Sequence, residues 1–108
     1  MSNPFTFQSS LHEAISVPDS GILSKPIDSD DFARVTLFGI AANEELTEHT
    51  TPRQAYLHFL EGQGEITLGM EQHQVQAGTW VKMAPNVPHS IRAATPMKML
   101  LIVLSKTL

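Results

Sequence analysis

Hydrophobic and polar residues alternate in four short segments of the chain, residues 64–68, 72–76, 79–83 and 89–92. Because successive side chains of a β-strand point to opposite faces, a period of two predicts strands with one buried face. Glutamate, threonine, glutamine, lysine and arginine mark the outer faces. The inner faces then receive a mainly apolar set: Ile66, Leu68, His73, Val75, Val81, Met83, His89 and Ile91.

Other segments are apolar at consecutive positions, above all residues 55–60 and 97–104. Residues 21–27 and 34–40 also predict strands, and Pro26 places the first of them at a sheet edge or beside a bulge. Glycine, proline and asparagine divide these strands at spacings typical of an all-β sandwich or barrel. Because strands that are apolar on both faces need a cover, we expect the N-terminal segment or a second copy of the chain to provide it.

Counting chain reversals predicts which residues meet at one end of the barrel. If consecutive strands run antiparallel, each turn carries the chain to the opposite end. The loops around Pro52, residues 69–71 and residues 85–88 then share one end, which we call the mouth. Five residues are expected there with their side chains directed inward: His49, Thr51, Ala55, His73 and His89.

Length, charge and composition exclude several classes of function. A chain of 108 residues predicts one domain, in which residues 1–20 form an N-terminal arm with one helical turn at residues 9–15. The net charge of −4 leaves no basic patch for nucleic acid. With no cysteine, no signal segment and no apolar run long enough to cross a bilayer, we expect a cytoplasmic protein without a membrane partner.

Two motifs within residues 43–93 resemble those of the cupin superfamily. The first family motif is Gly, five residues, His-x-His, three or four residues, Glu, six residues and Gly. Its positions are occupied here by Asn43, His49, Thr51, Ala55 and Gly62. The second is Gly, five residues, Pro-x-Gly, two residues, His, three residues and Asn. Its positions are occupied by Gly78, Ala84, Asn86, His89 and Ala93. Asparagine tolerates the left-handed backbone that a turn glycine adopts, so both replaced turns are expected to persist.

The resemblance implies an all-β fold, a double-stranded jelly-roll barrel formed by residues 1–108. It also implies a metal site of three imidazoles and one carboxylate, of which this chain keeps the imidazoles of His49 and His89. His73 is a third candidate ligand, because both its face and its end of the barrel suit the site. With Thr51 and Ala55 at the other two positions, a divalent Fe, Ni, Mn or Zn ion is expected to bind weakly or not at all.

Three functions remain open, and fold analogy does not choose among them, so whether the chain is an enzyme stays undecided. The first is binding of a small, mostly apolar molecule in the barrel mouth. Its contacts would come from His49, His89, Thr51, Leu57, Phe59, Met83 and Ile91. The second is a metal-dependent dioxygenase or isomerase that uses His49, His89 and His73 together with waters. The third is a structural dimerisation module. A homodimer is expected, with Trp80 and His58 on the outer face in the subunit contact.

Overall fold

The structure, a computed structural model, describes residues 4–105, and this part of the chain forms nine β-strands. They are β1 (Ile22–Ser29), β2 (Ala33–Ile40), β3 (Glu45–His49), β4 (Ala55–Glu61), β5 (Gln63–Leu68), β6 (Glu71–Gln76), β7 (Trp80–Met83), β8 (His89–Ala93) and β9 (Met97–Leu104). Every strand pair is antiparallel. One sheet has the order β1-β2-β9-β4-β7 and the other β3-β8-β5-β6, which confirms the predicted jelly-roll fold.

The main hydrophobic core lies between the two sheets. It collects the inward-facing residues that the alternation predicted, among them Ile66, Val75, Met83 and Ile91, all 3% exposed or less. Phe59 and Met97 are fully buried in the same cluster. Burial of large apolar side chains contributes about 1.5–3 kcal/mol each, so this cluster supplies most of the drive to close the barrel.

A second hydrophobic cluster lies on the outer face of the five-stranded sheet, beneath the N-terminal arm. Ile15 of the arm is 5% exposed and packs with Leu37 of β2 and Leu100 of β9. The sequence predicted that either the N-terminal segment or a second copy of the chain covers the second apolar face of these strands. The arm covers part of that face. Gly39 lets it approach, because a Cβ at that position would stand 2.6 Å from the Ser16 carbonyl oxygen.

Polar contacts fix the arm on the sheet. The ammonium groups of Lys98 and Lys25 donate to the carbonyl oxygens of His12 and Ala14, at 2.7 and 2.9 Å. The His12 ring also contacts the carboxylate of Glu61. The single turn expected at residues 9–15 is present: the Ala14 N–H donates to the Leu11 carbonyl at 3.2 Å, and the Glu13 N–H donates to the Ser10 hydroxyl oxygen at 3.3 Å, but the turn does not continue into a helix.

Two local expectations about the strands are confirmed and one strand was missed. β1 is an edge strand, and its register with β2 shifts beside Pro26. Asn43 and Asn86 adopt positive φ values of 70° and 69°, as residues that replace turn glycines should. The sequence did not predict β3, because its residues are mostly polar and lie at the edge of the four-stranded sheet.

Among residues 4–105, no helix has the length and apolar character needed to cross a membrane.

Candidate functional site at the barrel mouth

The pairing of β3 with β8 places His49 directly opposite His89. Their ring centroids are 4.1 Å apart, and the ring planes are tilted by 59°. His89 is in turn opposite Leu68 on β5, so the two imidazoles stand in one cross-strand row. This register brings together two histidines that are distant in sequence, at one end of the barrel, as expected.

A β-bulge decides which way His49 points. Leu46 is opposite Ile91 and His49 is opposite His89, so three steps along β3 match two steps along β8. Strict alternation from the inward-facing Leu46 would direct His49 outward. The extra residue on β3 reverses that parity and returns the ring to the face shared with His89.

Hydrogen bonds to the backbone fix the tautomer of both rings. Nδ1 of His49 lies 2.8 Å from the Thr47 carbonyl oxygen, and Nδ1 of His89 lies 2.9 Å from that of Val87. A carbonyl oxygen only accepts, so each Nδ1 carries the proton and donates it. In a neutral ring, Nε2 then keeps its lone pair. The site therefore presents two neighbouring, oriented acceptors of hydrogen bonds or of a cation.

The two histidines differ in exposure. His89 is 5% exposed, whereas His49 is open to solvent. Burial lowers the pKa of His89, and the neighbouring His49 lowers it further, while the hydrogen bond to the Val87 carbonyl acts in the opposite direction. His89 is accordingly neutral at pH 7, in agreement with the tautomer that its hydrogen bond requires.

The side chains predicted to wall a ligand cavity fill the barrel interior instead. Leu57, Phe59, Met83 and Ile91 are each 2% exposed or less and belong to one packed core cluster. Contact between these four side chains and a ligand in the barrel mouth stays a prediction. Large apolar residues at inward positions close a small barrel by packing against each other.

His73 does not join the histidine pair. It is opposite the buried Ile66, so its strand parity is inward as expected, but β6 is an edge strand of the four-stranded sheet. The His73 side chain is 57% exposed and lies 3.2 Å from the Glu71 carboxylate. The ring is exposed although its strand parity is inward, because parity alone does not tell an edge strand from a central one, and its role as a third ligand stays a prediction.

The two remaining motif positions carry no strong ligand. Ala55 is fully buried in the core. Thr51 lies in the loop after β3, where its carbonyl oxygen accepts the Asn86 N–H at 2.8 Å. Within residues 4–105, no group of three or more histidine, cysteine, aspartate or glutamate side chains could hold a metal ion. Two imidazoles fit only half of a four-coordinate site, so the residues present do not fit a tightly held metal.

One cavity at this end was missed by the sequence reasoning. It has a volume of about 370 Å³ and is lined by Arg34, Thr51, Arg53, Val103, Leu104 and Ser105. A signal existed, because Arg34 is in phase with Phe38 and Ile40 on β2 and so shares their inward face. A charged residue in phase with the core residues of its strand is the kind of exception that can mark a site.

Comparisons with known proteins agree with the geometry. A family model described as a cupin domain matches residues 36–103. The chain is similar to a solved conserved protein of unknown function from Streptococcus pyogenes, with 23% identity, TM-score 0.84, and coverage of 100% of this chain and 93% of the other. It is similar to a cupin superfamily protein from Desulfitobacterium hafniense, with 21% identity, TM-score 0.85, and coverage of 94% and 95%.

A larger enzyme shares the fold over part of its length. A mutant salicylate 1,2-dioxygenase from Pseudoaminobacter salicylatoxidans is 17% identical with TM-score 0.74, and the match covers 77% of this chain and 26% of the enzyme. At such identities the solved structures show a common fold alone. No curated protein sequence matches the chain significantly.

Proposed function

We propose, on the premise that this chain belongs to the cupin domain family, that its barrel mouth binds a small molecule through the paired imidazoles of His49 and His89. One observation carries the proposal. Two rings whose centroids are 4.1 Å apart each have Nδ1 committed to a backbone carbonyl, so both Nε2 atoms are held ready for a ligand.

The chemistry of the pair indicates the class of ligand. Two acceptors side by side bind a group that donates hydrogen bonds, and a hydroxyl can donate its one proton to either ring. The neighbouring residues Leu68 and Val87 are apolar and pack on the core. The lowered pKa of His89 keeps its ring uncharged, which disfavours a ligand selected by charge at this position. A small, mostly apolar molecule with one hydroxyl, for which phenol is a simple probe, suits such a rim.

The test is a phenol titration in which binding is monitored by the imidazole ¹⁵N signals and by the melting temperature. We expect the Nε2 signals of both rings to shift in the native protein and binding to weaken by roughly fivefold in His49→Asn, since one uncharged hydrogen bond contributes about 1 kcal/mol. His49 is exposed, so the change should not unfold the barrel. His58→Asn, an exposed histidine on the outer face, is the matched control. Equal phenol affinity in the native protein and His49→Asn would contradict the proposal.

A second candidate, a metal-dependent dioxygenase or isomerase, is favoured by the same backbone hydrogen bonds. Imidazoles that ligate metals commonly donate their other N–H to a carbonyl, which is the arrangement of His49 and His89. Waters would have to complete the coordination, because the chain supplies two strong ligands. Metal content of protein purified without an affinity tag tests this candidate. Near-stoichiometric iron, nickel, manganese or zinc that disappears in His49→Asn supports it, and metal-free native protein contradicts it.

The third candidate, a structural homodimerisation module, is supported by the filled barrel interior and by an aromatic surface. Trp80 on β7 is 60% exposed and stacks on Tyr56, with ring centroids 5.8 Å apart and planes 29° from parallel. Within the described residues 4–105, β7 ends the five-stranded sheet and pairs with β4 alone, which leaves its other edge free to pair with a strand of a second copy. We assign this edge and the Trp80 face to contact with a second copy of the chain.

A further inference from the structure

The cavity that contains Arg34 is built from three separate parts of the chain. Arg34 comes from β2, Val103 and Leu104 come from the end of β9, and Thr51 and Arg53 come from the loop between β3 and β4. Backbone contacts hold these parts together. The Leu104 N–H donates to the Gln54 carbonyl at 3.0 Å, and the Ser105 N–H donates to that of Phe32 at 2.8 Å. These backbone hydrogen bonds tie the loop and the end of β9 to neighbouring parts of the chain.

The described lining of this cavity carries positive charge. Among residues 4–105 it consists of two guanidinium groups, two hydroxyl groups and two apolar side chains, without a carboxylate. Arg34 makes no ion pair with any residue of the described range 4–105. This is notable in a chain whose net charge is −4, where acidic residues outnumber basic ones by eleven to seven. Arginine presents a planar fork of donors that matches an oxyanion, and hydroxyl groups can donate to the same oxygens.

We propose that this cavity binds a small organic oxyanion with an apolar body, its anionic group on Arg34 and Arg53 and its apolar part against Val103 and Leu104. A volume of about 370 Å³ suits a molecule of that size. A carboxylate and a phosphate ester share the chemistry that the guanidinium groups recognise, and the experiment separates them. Arg34 carries the proposal, since it is the guanidinium group without an ion-pair partner among the described residues.

This site is separate from the histidine pair, although both lie at the same end of the molecule. Thr51 follows His49 by two residues, and its carbonyl accepts the N–H of Asn86 in the loop that leads to His89. Neither imidazole lines the cavity. A ligand of the cavity is selected by negative charge, whereas the imidazole pair offers acceptors. The two proposals can therefore fail independently.

The experiment titrates the full chain with three probes of similar size, benzoate, phenyl phosphate and the neutral benzyl alcohol, and follows backbone amide signals by NMR. We expect one of the two anions to bind more tightly than benzyl alcohol and to shift the amides of Thr51, Val103, Leu104 and Ser105. Arg34→Gln should weaken the binding of that anion by roughly tenfold or more, because it removes a charge-assisted contact. The anion that binds more tightly identifies the source as a carboxylate or a phosphate ester.

Arg92→Gln is the matched control. It removes the same charge from an exposed position on β8, outside the cavity, and should leave the affinity unchanged. His49→Asn should also leave it unchanged, which distinguishes this site from the imidazole pair. The proposal is overturned if neither anion binds more tightly than benzyl alcohol, or if Arg34→Gln and Arg92→Gln weaken binding equally. Amide spectra of both variants without ligand verify that each retains the native fold.

Discussion

Replacing Ile15 by alanine tests whether the N-terminal arm closes the outer face of the five-stranded sheet within one chain. Ile15 is 5% exposed and packs against Leu37 and Leu100. The substitution removes three buried carbons at about 0.8 kcal/mol each, so unfolding should cost about 2–2.5 kcal/mol less free energy. For a domain of this size that loss lowers the melting temperature by about 10 °C or more.

The assay is urea unfolding at several protein concentrations, analysed for both the midpoint and the slope. Phe7→Ala is the matched control, because Phe7 belongs to the same arm but is 77% exposed. It removes more carbon than Ile15→Ala, yet should change the free energy of unfolding by less than about 0.5 kcal/mol. Equal effects of the two substitutions, or an Ile15→Ala effect below about 0.5 kcal/mol, would refute the packing of the arm on the sheet.

Three further predictions concern the imidazole pair, a turn and the exposed aromatic surface. The pKa of His89 is lowered in the folded chain, so the unfolded chain takes up the proton first as the pH falls through the unfolded value of about 6.5. The urea midpoint should therefore decrease as the pH is lowered below about 6.5, and it should decrease less in His89→Gln. Gly62→Ala should cost more than about 3 kcal/mol by urea unfolding, since φ is +92° and the new Cβ would stand 2.2 Å from the Pro96 carbonyl oxygen. Gly69→Ala, with φ +62° and open space around it, should cost only about 1 kcal/mol, and equal costs would contradict the steric reason. On the proposed homodimer, Trp80→Ser should shift the molecular mass measured by sedimentation from dimer to monomer; a native protein that sediments as a monomer, or an unchanged mass in Trp80→Ser, would contradict that proposal.

The inward and outward faces of most strands could be predicted from the sequence, and the reason is local. Alternation of polar and apolar residues directly reports which side chains of a strand avoid water, so Ile66, Val75 and Ile91 were assigned to the core correctly. Turns were equally accessible. Asn43 and Asn86 stand where a left-handed backbone is needed, and few residues other than glycine tolerate it.

The sequence was less informative wherever the answer depends on a neighbouring strand. His73 has inward parity but lies in an edge strand, so its ring is in solvent. Arg34 has inward parity as well, but the end of β9 and the loop after β3 turn its surroundings into a cavity. Parity is a property of one strand, whereas burial and cavities depend on which strands lie beside it and across from it.

The sequence by itself determined that the chain is an all-β barrel whose two motif histidines belong at one end. The period of two sets the faces of the strands, and the number of reversals sets their ends. Only the tertiary structure decided that the ring centroids lie 4.1 Å apart, that core side chains fill the barrel interior and that the arm covers part of the outer face of the five-stranded sheet. The bulge before His49 shows why, because one unpaired residue reverses the direction of a side chain, and only pairing with β8 creates it.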